Sequence, residues 1–140
     1  MPLPYPLLFV CLLVISCSQK ERAKLVMGNV VEYTQEGRPL VKGSTTLMPE
    51  DTLSLILSSD QPFNVPVITF SISKLTNGQK QLLASEPVGA GQGIKYLRTR
   101  RTAADLIKKY GYGEFLVQFL KEGEVIAEGI YQVKPFQFEQ

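Results

Sequence analysis

The segment 67–75 constrains the fold more than any other part of the chain. Isoleucine and phenylalanine alternate in it with threonine and serine, which is the pattern of a strand with one buried and one solvated face. Asn77-Gly78 follows closely, and this dipeptide favours a tight hairpin because both residues tolerate positive φ. We therefore predict a strand, a turn and a partner strand over residues 79–86.

Shorter alternating runs, separated by Gly, Pro and Asn, fill most of the remaining sequence. Weak runs lie at residues 30–33 and 40–41, and residues 52–58 place three leucines on one face. Many short strands at this spacing, in a chain of 140 residues, are typical of a single all-β domain. The predicted fold class is an antiparallel β-sandwich.

The turn at residues 121–123 decides which side chains of the last hairpin face the core. A two-residue loop places the charged Glu128 opposite Val117 on the core face. A three-residue loop places Ala127 there and turns Val125 inward. Because a charge on the core face is costly and Gly suits the last position of the longer loop, the sequence predicts the three-residue loop.

A different pattern lies between the two hairpins, at residues 102–110. Thr102 followed by Asp105 is a helix-starting arrangement with the acid in the first turn. Lys108 and Lys109 suit a last turn, and Gly111 can end a helix. We predict one short helix of about two turns here.

The last third of the chain has a Leu, then Tyr-Gly-x-Gly-x-Phe, then an alternating Val, at Leu106, Tyr110, Gly111, Gly113, Phe115 and Val117. This pattern resembles the approach to the penultimate strand of immunoglobulin-like sandwiches. The chain has no Trp and no Cys after Cys17. These absences exclude antibody-type domains, so the resemblance implies only the broader immunoglobulin-like architecture. A transthyretin-like sandwich is the alternative.

The N-terminus carries an uninterrupted apolar run over residues 7–15. This run is far shorter than the roughly 20 residues of a membrane-spanning helix, but it has the length of the apolar core of a secretory signal. The residues that close it, Val14-Ile15-Ser16-Cys17, resemble the lipobox of bacterial lipoproteins. The resemblance implies that residues 1–16 are removed and that acyl chains, such as palmitate, are attached to Cys17.

The same resemblance divides the chain and indicates where it resides. Residues 17–24 become a short lipidated tether, and residues 25–140 form the folded domain. Ser18 is not the Asp that favours inner-membrane retention in this family, so we expect the outer membrane of a bacterial envelope. Residues 1–6 carry no Lys or Arg, unlike most signals, so either the true start lies upstream or the organism tolerates a weak signal. An ordinary cleaved signal and an uncleaved anchor that merely contains Cys17 are the alternatives.

The composition excludes several classes of function. Because the chain has no His, Ser-His and Cys-His nucleophile pairs cannot form and the commonest metal ligand is missing. A formal net charge of +2 argues against a general nucleic-acid binder, which has a strong basic excess. We predict no catalytic residue, no metal, no cofactor and no nucleic-acid partner. An enzyme with a carboxylate-based site is the least favoured alternative.

One candidate binding surface is basic. Residues 95–109 hold six cations against the single acid Asp105, a net of +5. Such a patch, together with the glycine-rich loop in the region 89–101, suits an anionic lipid or glycan or an acidic protein. The alternative is a solvated loop and helix end. The six residues are Lys95, Arg98, Arg100, Arg101, Lys108 and Lys109.

The other candidate surface is apolar. If Phe115 and Val117 face the core, alternation places aliphatic residues of the last hairpin on the opposite face. An outward aliphatic face indicates a partner, unless another segment covers it. We therefore expect a non-catalytic lipoprotein that binds or scaffolds another envelope component, with a small-ligand or anionic glycan and lipid binder as the alternative. The predicted partner face comprises Leu116, Leu120, Ile126 and Ile130.

Overall fold

A computed structural model of the chain describes residues 22–33, 35, 39–42 and 46–135. The predicted signal, the predicted lipidation residue Cys17 and most of the predicted tether lie outside these residues. The strands and the helix of the described part are β1 (Lys24–Tyr33), β2 (Pro39–Lys42), β3 (Thr46–Leu47), β4 (Thr52–Ser58), β5 (Val67–Thr76), β6 (Gln79–Gly89), β7 (Tyr96–Thr102), α1 (Ala103–Tyr110), β8 (Gly113–Lys121) and β9 (Glu124–Val133).

The strands form two sheets that pack face to face. The first sheet has the order β2-β1-β4-β7, and the second has the order β3-β9-β8-β5-β6. Their neighbouring strands are antiparallel, except for the short β3, which pairs with β9 in parallel. The predicted all-β sandwich with one short helix is confirmed.

The core lies between the inner faces of the two sheets. The alternating residues of β5 fill its centre, and the ring of Phe70 lies 5.1 Å from the ring of Phe119 in β8. Phe115 and Tyr131 stack with ring centres 5.2 Å apart. The leucines of β4 close the core from the first sheet, as their spacing predicts. The large, fully buried side chains are Leu47, Leu53, Leu55, Leu57, Ile68, Phe70, Leu106, Phe115, Val117, Phe119, Tyr131 and Val133.

The first strand is longer than the sequence pattern predicts. It begins at Lys24, six residues before the predicted run at 30–33 and one residue before the predicted domain boundary at 25. Just ahead of it, the N–H of Ala23 donates to the backbone O of Ile126 at 2.9 Å. Because β1 belongs to the first sheet and β9 to the second, the start of the domain links both sheets.

The hairpin of β5 and β6 confirms the turn predicted at Asn77-Gly78. Both residues have positive φ, 51° and 77°, and Thr76 pairs with Gln79 across the turn. A β-bulge shifts the register farther along, so that Ile72 faces Ala84 while Ser73 faces Leu82. The bulge moves the rest of β6 by one residue relative to simple alternation.

The hairpin of β8 and β9 contradicts the predicted three-residue loop. Lys121 pairs with Glu124, so the loop is the two residues 122–123, and both have positive φ. A β-bulge between this turn and Phe119 then brings Ala127 opposite Phe119 and Gly129 opposite Val117. The bulge therefore keeps charge off the core face, which is the effect predicted for the three-residue loop.

This bulge also corrects the predicted partner face. Ile126 is the inserted residue, and it is 6% exposed and packs in the core. Its neighbour Val125, predicted to point inward, is 42% exposed. The other three residues of the predicted face remain outside the core cluster.

Gly129 allows β1 to approach β9 closely. A methyl group placed on Gly129 would lie 2.6 Å from Cε of Met27 and 3.3 Å from Cδ2 of Leu25. These two side chains pack against the core and cover the side of the sandwich where β9 lies nearest the first sheet. The absence of a side chain at position 129 makes room for them.

We expect Gly129→Val to lower the free energy of unfolding by about 1–3 kcal/mol, because overpacking displaces neighbours from favoured rotamers. In a Met27→Ala background, Gly129→Val should lower the free energy of unfolding by clearly less, because the nearest clashing atoms are gone. Urea unfolding of the four variants measures this coupling. An equal cost in both backgrounds would show that β1 does not pack on Gly129.

The helix α1 begins and ends where the sequence predicts. The hydroxyl of Thr102 accepts a hydrogen bond from the N–H of Asp105 at 3.2 Å, which caps the N-terminus. At the other end, the N–H of Gly111 donates to the O of Ile107 at 2.8 Å. Leu106 points into the core, so α1 closes one side of the sandwich.

Candidate functional site

The basic segment of the sequence lies along the side of the sandwich formed by β6 and β7, the edge strands of the two sheets. Arg101 of β7 spans this side. Its Nη2 donates to Oε1 of Glu86 in β6, and its guanidinium carbon lies 5.9 Å from the centre of the Phe70 ring. Arg101 thus links the two edge strands, and its charge is matched by a carboxylate.

A cleft of about 150 Å³ opens beside this ion pair, between β6, β7 and α1. Its rim carries two cations, Arg101 and Lys109, and two acids, Glu86 and Asp105. This balance does not favour an anion, and the cleft is smaller than the ~300 Å³ at which ligand pockets begin. The remaining lining residues are Phe70, Ile72, Ala84, Leu106 and Tyr110.

The six cations predicted to form one anionic-ligand patch are distributed over several surfaces. Leu97 points into the core, so alternation turns Arg98 and Arg100 to the outer face of the first sheet, away from Arg101. Lys95 precedes β7, whereas Lys108 and Lys109 follow it on α1. The strand between them spans about 20 Å.

The glycine-rich loop before β7 is tied to the loop between β4 and β5. The N–H of Ala90 donates to the O of Pro66, and the N–H of Phe63 donates to the O of Ile94, both at 2.9 Å. A third bond of the same length joins the N–H of Ser59 to the O of Lys95. These bonds hold the two loops together at one end of the sandwich.

The outer face of the second sheet carries a row of aliphatic side chains. Leu116 of β8 lies directly opposite Ile130 of β9 and, on its other side, opposite Ser73 of β5. Ser73 is in turn opposite Leu82 of β6. Leu82 is 60% exposed and Ile130 is 44% exposed. We call Leu82, Leu116 and Ile130 the aliphatic row.

Hydrogen-bonding side chains flank the aliphatic row. On one side of the row, Nε2 of Gln118 donates to Oε2 of Glu128 at 3.0 Å. Lys80 pairs with Leu75 on the far side, and its Nζ reaches across the row to donate to Oε1 of Gln118 at 3.1 Å. On the far side of the row, Nε2 of Gln132 donates to Oε2 of Glu114 at 3.3 Å. An apolar strip between polar strips is the usual anatomy of a protein interface.

The aliphatic row keeps part of the predicted partner face and adds one residue to it. Leu116 and Ile130 both lie on the outer face and pair directly with each other, while Leu120 lies farther along β8 beside Val125. Leu82 was missed, although a two-residue turn at Asn77-Gly78 already places it opposite Ser73. The register set by this turn is therefore enough to predict that Leu82 lies on the outer face.

Tyr131 is buried in the core, and its hydroxyl has no hydrogen-bond partner among the described residues. Burial raises the pKa of Tyr131 well above the ordinary value of 10.0, and the nearby Tyr110 raises it further. A buried phenol without a partner is destabilising. Tyr112, in contrast, is exposed.

We expect Tyr131→Phe to leave stability unchanged or to raise it by about 1 kcal/mol at neutral pH, because an unsatisfied buried group is removed. Since the folded state holds the phenol proton more tightly than the unfolded state, native protein should lose stability above about pH 10. The Tyr131→Phe variant should not show this alkaline loss of stability. Tyr112→Phe should lose stability as the native protein does. Urea unfolding of the native protein and the two variants at neutral and alkaline pH measures these differences. If Tyr131→Phe lowers the free energy of unfolding by more than about 1 kcal/mol at neutral pH, the hydroxyl has a hydrogen-bond partner.

Two further features bear on function. Within residues 22–33, 35, 39–42 and 46–135, no three acidic or Cys side chains converge as metal ligands. In the same part of the chain, no helix has the length and apolar character needed to cross a bilayer. Comparison with known proteins adds no relative, because no protein-family model and no curated protein matches the chain.

Proposed function

We propose that this protein is a non-catalytic lipoprotein of the bacterial outer membrane, anchored through Cys17, which binds another protein of the envelope. The lipobox at residues 14–17 supports the anchor. Two or three acyl chains hold a protein firmly, because each buried CH₂ contributes about 0.8 kcal/mol. The sandwich then serves as a rigid platform for binding.

The aliphatic row is the observation that carries the binding role. Its three side chains stand on β6, β8 and β9 of one sheet, with the buried Ser73 of β5 between Leu82 and Leu116. The backbone pairing therefore holds them in fixed positions. Flat, pre-formed apolar strips with polar borders bind proteins with little ordering cost.

A photo-crosslinking residue placed at position 130 tests this role in living cells. We expect it to capture one defined protein, because Ile130 lies in the row and is 44% exposed. The same residue at position 112 is the matched control, since Tyr112 is 46% exposed and lies outside the row. Adding Leu82→Glu should abolish the product from position 130, because it places a charge in the interface.

Leu82→Glu suits this test because Leu82 is largely exposed, so its effect on folding should be small. Circular dichroism and thermal unfolding of the variant verify that the sandwich is intact. The binding role is contradicted if positions 130 and 112 give the same products, or if the product from position 130 survives Leu82→Glu.

A further inference from the structure

The sandwich has two ends, and the chain enters the described part at one of them. In the first sheet, Lys24 pairs with Ser58, and Ser58 pairs with Tyr96. In the second sheet, Val67 pairs with Gly89 at the start of β5. The loops that join Ser58 to Val67 and Gly89 to Tyr96 connect these two rows, so both rows lie at the same end.

The turn of the last hairpin lies at this end as well. Ala23 is hydrogen-bonded to Ile126, close to the turn at 122–123. We call this end, which comprises residues 22–24, 59–67, 89–96 and 121–125, the near end. The opposite end holds the Asn77-Gly78 turn and the connection from α1 to β8.

The near end exposes apolar side chains that do not pack in the core. Alternation places Tyr96 on the rim of the first sheet and Val67 and Val125 on the rim of the second. Four of the seven large hydrophobic residues that are exposed in the described part lie there, in three separate segments. One is Tyr96, which is 47% exposed, and tyrosine is enriched at membrane interfaces because its ring is apolar and its tip polar. The four are Val67, Ile94, Tyr96 and Val125.

The charge at the near end is almost balanced. Four cations and three acids lie there, a net of +1. A surface of this kind is not attracted strongly to anionic lipid, so contact with a bilayer depends on its apolar side chains. The cations are Arg22, Lys24, Lys95 and Lys121, and the acids are Asp60, Glu122 and Glu124.

The chain length between Cys17 and Arg22 fixes how far the near end can lie from the acyl chains. Only residues 18–21 separate them, and even a fully extended chain over that interval spans about 18 Å. The strands of the sandwich add about 30 Å between the near end and the opposite end. An anchor at Cys17 therefore keeps the near end within about 18 Å of the bilayer, whereas the opposite end reaches the bilayer only if the sandwich lies on its side.

We infer that the near end rests on the lipid bilayer and that Val67, Ile94, Tyr96 and Val125 enter its interface. This inference rests on the proposed lipidation of Cys17 and deepens it, because it assigns a second, non-covalent contact with the membrane. The contact fixes the orientation of the domain. The long axis of the sandwich then stands away from the membrane, and the aliphatic row lies on a side wall that a neighbouring envelope protein can reach.

Single-tryptophan variants of the full, mature protein test the orientation, because the native chain has no Trp. Tyr96→Trp places the fluorophore at the near end. Tyr112→Trp is the matched control, since Tyr112 is 46% exposed and lies at the opposite end. Each purified protein is incorporated into phosphatidylcholine vesicles that contain phosphatidylcholine brominated on its acyl chains.

We expect the emission of the Tyr96→Trp protein to shift to the blue and to be quenched several-fold more strongly than that of the Tyr112→Trp protein. Because the near end is almost neutral, adding phosphatidylglycerol or salt should change the ratio of quenching between the two variants little. Equal quenching of the two variants, or stronger quenching of Tyr112→Trp, overturns the orientation. Flotation of the vesicles reports the anchor separately: a protein that floats with equal quenching refutes the orientation alone, whereas one that does not float refutes the anchor and the orientation together.

Discussion

Replacing Cys17 by Ser is expected to abolish the incorporation of labelled palmitate into this protein and to remove it from the outer-membrane fraction. The reason is chemical, since lipid transfer in lipoproteins requires a thiol and serine offers only a hydroxyl. The loss should be essentially complete, because two or three acyl chains each contribute about 0.8 kcal/mol per buried CH₂. Metabolic labelling followed by membrane fractionation measures both effects.

Cys11→Ser is the matched control for this prediction. Cys11 lies inside the apolar run that the proposed processing removes, so its replacement should leave labelling and location unchanged. Incorporation of palmitate into the Cys17→Ser protein, or its loss from the Cys11→Ser protein, would contradict the assignment of the lipid to Cys17.

The second large effect is expected at the bulge of the last hairpin. Ile126→Ala should lower the free energy of unfolding by about 2–5 kcal/mol, because it empties a core position. Val125→Ala should change it by no more than about 0.5 kcal/mol, because Val125 is exposed. Urea unfolding of the two single variants provides the comparison.

This pair of variants is sensitive because the residues are adjacent and both are aliphatic. The three-residue loop suggested by simple alternation would turn Val125 inward and Ile126 outward, and would reverse the two costs. A larger loss for Val125→Ala than for Ile126→Ala would therefore rule out the bulged register.

Local signals predicted much of this fold. The helix at residues 102–110 has its cap, first-turn acid and terminating glycine within ten residues, and all three features act locally. The turn at Asn77-Gly78 is likewise decided by two residues that accept positive φ. Because such signals do not depend on distant contacts, the sequence alone suffices to find them.

The bulges could not be predicted in the same way. An inserted residue is stabilised by the core that receives its side chain, and that core is assembled from strands distant in sequence. In the last hairpin the bulge moves Ile126 inward and keeps Glu128 out of the core. In β6 it brings Glu86 opposite Phe70, where it meets Arg101. Because this bulge could not be predicted, the predicted basic patch did not take the carboxylate of Glu86 into account.

The close contacts between the two sheets also could not be predicted from the pattern of the sequence. The glycine at position 129 gives no sign of which residue occupies the space beside it, and Met27 is about 100 positions earlier in the chain. Similarly, the near end brings together segments from four separate parts of the sequence. Its apolar residues are scattered along the chain and become a group only through the topology of the two sheets.

Mass spectrometry of the N-terminal peptide of the mature protein, purified from its own membrane, tests the anchor most directly. The lipoprotein assignment predicts a chain that begins at Cys17 and carries the added mass of a diacylglyceryl group and an amide-linked acyl chain. A peptide that begins elsewhere, or that contains Cys17 at its unmodified mass, would contradict it.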